Sequence, residues 1–80
     1  MDTPTFPKAL AEVVKIALTE AGISQRDAAS LTGIPLTTLT RRLSGNSPFL
    51  STELDRIASL AGTTVSALAA KAEAHTRDAA

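Results

Sequence analysis

The run Gln25-Arg-Asp-Ala-Ala-Ser-Leu-Thr-Gly-Ile-Pro-Leu-Thr-Thr-Leu-Thr-Arg-Arg-Leu-Ser44 decides how this chain folds. Its apolar residues do not alternate as in a strand; they keep helical spacing on either side of Gly33-Ile34. Two short helices meet at a sharp angle only if the first is narrow where they cross. Ala29 supplies that narrowness, and Gly33 takes up the turn conformation that a side chain resists. Ile34 then anchors the turn in the core, and Leu39 anchors the helix that follows. A small residue, a glycine four later, an apolar residue next and another five beyond make the spacing of a helix-turn-helix over residues 25–44.

The flanks agree with this reading. Residues 1–6 lack periodicity and form a short N-terminal arm, while Pro7 suits the first turn of a helix, where its missing N–H is not needed. Leu10, Val13, Val14, Ala17, Leu18 and Ala21 define one apolar face, and Gly22 ends that helix. Ser24 opens the second helix with Asp27 three residues on, as in a capping box. Leu36 to Ser44 form the third helix, ended by Gly45, and Asn46-Ser47-Pro48 turn the chain. Phe49 and Leu50 plug the core from the loop. Ser51 caps a fourth helix through Leu54, Ile57, Ala58, Leu60 and Ala61, with Glu53 and Asp55 as first-turn acids favoured by the helix dipole. Thr64 caps a fifth, carrying Val65, Leu68, Ala69 and Ala72. The spacing therefore predicts an all-α fold of five short helices, one domain over residues 7–75 and a frayed end over 76–80.

Eighty residues allow one core. Hydrophobic residues make up 44% of the chain and aromatics 2%, so that core is built from Leu, Ile, Val and Ala. The absence of cysteine excludes disulfides, thiolate nucleophiles and cysteine-ligated zinc. No apolar run reaches membrane length and no leader pattern opens the chain, so a cytoplasmic protein without a membrane partner is expected. Neither a nucleophile–base arrangement, a paired-carboxylate site nor a glycine-rich phosphate loop can be read. His75, the single histidine, has no metal-binding or catalytic partners. We expect no enzyme activity, no cofactor, no metal and no small-molecule substrate. Formal net charge is zero, but residues 24–46 hold Arg26, Arg41 and Arg42 against Asp27 alone, so the middle of the chain is its basic part.

Through Gln25, Ala29, Gly33, Ile34, Thr38, Leu39 and Gly45 the sequence resembles the lambda-repressor and Cro-like (XRE-like) helix-turn-helix family. The resemblance continues into Leu54-Asp-Arg-Ile-Ala-Ser-Leu-Ala-Gly62 and Val65-Ser-Ala-Leu68, and covers roughly residues 8–72. It implies a five-helix domain that lays its third helix in the DNA major groove, and a small regulator of phage or prophage repressor type in a bacterial cell. The sequence departs from the family pattern at Arg42, where an apolar residue is usual, at Leu43, where a polar one is, and at Pro35, in place of Ser or Thr.

A helical wheel from Leu36 allows two registers for the third helix. Leu36, Leu39 and Leu43 fall at about 0°, 300° and 340°, one apolar stripe whose opposite face centres near Arg41. The family's usual register instead exposes a face centred at about 90°, on Thr37 and Ser44. Thr37 and Arg41 are exposed in both. On the DNA-binding reading, Arg41, Thr37, Thr38 and Leu36 are the base-contacting candidates. Arg41 suits guanine O6 and N7, the threonines a base or a thymine methyl, and Leu36 a thymine methyl. Gln25, Arg26, Arg42, Ser44 and Asn46 are the phosphate candidates. Each has a plainer alternative: a solvated arginine, a helix-start hydrogen bond for Thr38, rim packing for Leu36, a local ion pair for Arg26.

These readings make double-stranded DNA the expected partner. One short helix reads four or five base pairs, so a weak homodimer formed on DNA is expected, with Leu60, Val65, Leu68 and Ala69 as pairing contacts or, alternatively, as core. A rival reading is a protein-interaction module such as an antitoxin, supported by the neutral charge and the Ala-rich last helix.

Overall fold

A computed structural model describes residues 5–78. Its helices are α1 (Phe6–Glu20), α2 (Gln25–Thr32), α3 (Leu36–Leu43), α4 (Ser51–Leu60) and α5 (Val65–Asp78), with no strand among the described residues. The fold is the all-α, five-helix domain that the spacing predicts. Helix α1 starts at Phe6, one residue ahead of the expected edge of the arm, and α5 continues helical to Asp78. Residues 1–4 of the expected arm and 79–80 of the expected frayed end lie outside the described residues.

Helix α1 buries Ala9, Leu10, Ala11, Val13, Val14 and Leu18. Ala21, expected on that face, is the helix's exposed last cap residue. The largest fully buried side chains are Leu39, Ile57, Leu68 and Val14, one each from α3, α4, α5 and α1. The core therefore lies where these four helices converge, and α2 closes it with the small residues Ala28 and Ala29. Helix α5 packs along α1, while α2 packs on both α3 and α4.

The turn between α2 and α3 differs from the other helix ends. After α1, α3 and α4 the chain makes a paired closure, in which Ile23, Asn46 and Thr63 donate back five residues (to Leu18, Arg41 and Ala58). At Gly33 (φ +78°) only one such bond forms, from its own N–H to the Ala29 carbonyl at 3.0 Å. The Thr32 hydroxyl takes over the rest. It donates to the Ala28 carbonyl at 2.6 Å and accepts from the Ile34 N–H at 3.4 Å. Ile34 can thus enter the core directly after the glycine, where it is 4% exposed. Arg56 of α4 donates to the Thr32 carbonyl at 3.4 Å and fastens α4 to the same turn.

Three expectations are corrected. Leu68 is fully interior, and Leu60, Val65 and Ala69 are half-buried, the first two packed on the core. Leu68 is therefore core and not a pairing contact, and Leu60 and Val65 are in part taken up by the same core. Phe49 does pack on the core, but Leu50 is 55% exposed, because it is the residue on which α4 starts and its backbone is held outward. Ser51 is not the cap of α4. The Glu53 carboxylate reaches back and accepts from the Leu50 N–H at 2.9 Å. Ser24 and Thr64 cap as expected, accepting from Asp27 and Ala67 N–H at 3.1 and 3.0 Å.

Ala29 is buried beside the α2–α3 turn, with its carbonyl in the Gly33 bond. Ala29→Leu is expected to destabilise the domain by about 1–3 kcal/mol through overpacking, a large share of so small a domain's stability. Thermal unfolding followed by circular dichroism checks this, and an unchanged midpoint would remove the requirement for a small residue at the crossing.

Candidate nucleic-acid interface

Helix α3 has eight residues, too few to persist without tertiary support. Leu39 and Leu43 point into the core, at 0% and 3% exposure. Thr37, Thr40, Arg41 and Ser44 are exposed, and Thr38 and Arg42 are half-buried. The outward face therefore centres on Thr37 and Ser44, the second of the two registers. Leu36 does not join the apolar stripe; it stands 39% exposed at the helix start, immediately after Pro35, before α3 has reached the core. Thr40 belongs to the exposed face.

The register follows from what happens to Arg42. This side chain faces inward, where an apolar residue would be the simpler choice, and its charge is answered there. Its Nε donates to Glu53 Oε1 at 3.0 Å, Nη2 to Glu53 Oε2 at 3.4 Å and Nη1 to Ser47 Oγ at 2.9 Å. Only 18% of the Arg42 side chain and 11% of the Glu53 side chain are exposed. The phosphate contact expected of Arg42 is corrected accordingly: its guanidinium is committed within the chain. Glu53 is likewise more than a dipole-favoured first-turn acid, since it caps α4 and neutralises Arg42 together. Burial pushes the Glu53 carboxyl up, but the Leu50 N–H, the Arg42 hydrogen bond and charge, and Arg56 outweigh it and hold the group below the usual glutamate range.

The remaining candidates sit on the surface. Gln25 and Arg26 occupy the exposed first turn of α2, where backbone N–H groups have no intrahelical acceptor. Arg26 and Arg41 form no ion pair among the described residues. Asn46 is exposed beyond α3, and Ser44 Oγ donates to the Arg41 carbonyl at 2.9 Å. Gln25 and Arg26 on α2, and Leu36, Thr37, Thr38, Arg41, Ser44 and Asn46 on and after α3, thus belong to one helix-turn-helix unit. Among the described residues no cluster of His, Asp or Glu could hold a metal ion, and no helix is long and apolar enough to cross a membrane.

Two helices joined through a left-handed glycine, the second showing a polar face with an exposed arginine, define a helix-turn-helix DNA-binding domain. The family model described as helix-turn-helix, Psq domain, matches residues 5–49, more than half of the chain, and the chain belongs to that family. The match runs from the start of α1 through α3 and stops ahead of α4. In fold the chain is similar to the crystal structure of the clp gene regulator ClgR from Corynebacterium glutamicum. The TM-score is 0.88 at 17% sequence identity, over 95% of this chain and 81% of that one. No curated protein sequence matches.

The Arg42–Glu53 pair carries two measurable consequences. Glu53→Gln leaves a largely buried guanidinium without its counter-charge and is expected to cost on the order of 3 kcal/mol. Because the folded carboxyl titrates below its unfolded value, its contribution is fully present above that unfolded value, near 4.5, and is lost as pH falls through the lower folded one. Denaturant titrations at several pH values should therefore show wild-type stability falling more steeply than that of Glu53→Gln below about pH 4.5. Parallel acid limbs would mean that the pair is not formed in solution.

Proposed function

We propose that the chain binds double-stranded DNA sequence-specifically through the major groove and acts as a small transcriptional regulator, of the lambda-repressor and Cro-like repressor type. The observation that carries this reading is the outward face of α3. It presents Thr37, Arg41 and Ser44, with Arg41 in no ion pair among the described residues, while both core leucines point away from it. Arg41 donates in bidentate fashion to guanine O6 and N7. Thr37 and Thr38 offer a hydroxyl and a methyl to neighbouring bases, and the exposed Leu36 meets a thymine methyl. The first turn of α2 grips a phosphate through Gln25 and its free N–H groups, with Arg26 beside it. Ser44 and Asn46 contact the backbone at the other end of α3. Ser44 does so by turning its hydroxyl from the Arg41 carbonyl to a phosphate oxygen.

A helix of eight residues reads too few base pairs to select a site alone. Two copies therefore bind half-sites about 34 Å apart on one face of the duplex, pairing weakly and mainly on DNA.

Selection of duplex DNA from a random pool tests the reading, and a recovered motif with two related halves is the expected result. Arg41→Ala is expected to weaken binding to that motif by about 1–3 kcal/mol and to relax selection at one base pair. Failure to recover any motif, with binding insensitive to salt, would overturn the reading in favour of a module that binds a partner protein.

A further inference from the structure

We infer that Lys8 is a phosphate-binding residue of the DNA interface, completing its cationic edge where α3 ends; this deepens the DNA-binding reading and rests on it. Of the two cations that the sequence places in the last turn of α3, Arg41 and Arg42, the second is committed to Glu53. The fold brings another there from far along the chain. A Cβ built on Gly45, the residue that turns the chain after α3, would stand 3.2 Å from Lys8 Cγ. The Lys8 stem therefore lies against the turn itself, and Lys8 and Ser44 line one shallow groove. Gly45 also has φ +81°, so both its backbone and this close approach demand a glycine.

Lys8 is exposed and forms no ion pair among the described residues, whereas Lys15, two turns along α1, lies 4.0 Å from Glu12. Its position is also unfavourable for the helix that carries it. Lys8 is the third residue of α1, where the dipole disfavours a cation, and no acid stands in that first turn to offset it. A choice that works against local helix stability points to a use outside the helix. An ammonium on a flexible four-carbon stem is a point charge suited to a phosphate oxygen. With Ser44 and Asn46 it forms a contact that fixes orientation on the duplex and reads no bases.

The experiment is a salt titration of DNA binding by fluorescence anisotropy. It uses the duplex recovered by selection and a random duplex of equal length, with wild type, Lys8→Gln, Lys8→Arg and Lys71→Gln. Neutralising one phosphate contact lowers the slope of log affinity against log salt by about 0.9, which amounts to about eightfold in affinity at 0.1 M salt. Lys8→Gln should show that loss on both duplexes alike. Lys8→Arg should keep the wild-type slope, and so should Lys71→Gln, whose side chain lies in the grooves beside α1 on the α5 side. Because Lys8 is exposed and its charge opposes the dipole, Lys8→Gln should melt no lower than wild type. A wild-type slope in Lys8→Gln, or a loss confined to the selected duplex, overturns this inference and leaves the DNA-binding reading standing. Absence of duplex binding by wild type overturns both.

Discussion

A helix of eight residues has no stability of its own, and the whole interface depends on how α3 is held. Two leucines seat it from below, Leu39 and Leu43, but two apolar contacts on one face leave rotation about the helix axis poorly defined. The Arg42–Glu53 ion pair removes that freedom. It is bidentate and largely buried, and through Ser47 and the Leu50 N–H it also fixes the loop and the start of α4. Arg41 faces outward because its neighbour is held inward.

Such a pair is not an economical way to stabilise a protein. Desolvating two charges cancels much of their attraction, and a well-packed apolar pair of similar volume is often as stable. What two hydrocarbon side chains cannot do is demand one orientation. Arg42 and Glu53 satisfy each other only when α3, the loop and α4 are correctly placed, so the geometry is specified at little net gain in free energy. The charge balance of the basic segment changes with it. Of the three arginines between residues 24 and 46, only Arg26 and Arg41 remain to present a positive field.

The sequence made legible what is local. Ala29, Gly33 and Ile34 lie within six residues of one another, and their sizes and backbone requirements alone describe the crossing of α2 and α3. The caps at Ser24 and Thr64 are local in the same way. What could not be read depends on partners distant along the chain. Glu53 matches a plain first-turn acid until Arg42, eleven residues earlier, is found against it. The wheel misplaced Leu36 because periodicity does not say where a helix first touches its neighbours. Leu60, Val65 and Leu68 posed a harder problem: an apolar stripe has the same appearance whether it meets its own core or a second copy. Lys8 and Gly45 are adjacent only after α1 and α3 have packed.

The recurring family pattern ends at Phe49, yet the counter-ion of Arg42 stands at residue 53, in the next helix. The unit recognisable by pattern is therefore shorter than the unit that is electrostatically complete. A chimera spliced at the loop, keeping α1 to α3 of this chain before a foreign fourth helix, would strand a buried guanidinium. That unit is portable only together with its glutamate. Any splice that keeps α3 intact must therefore run through Glu53 before it changes chain.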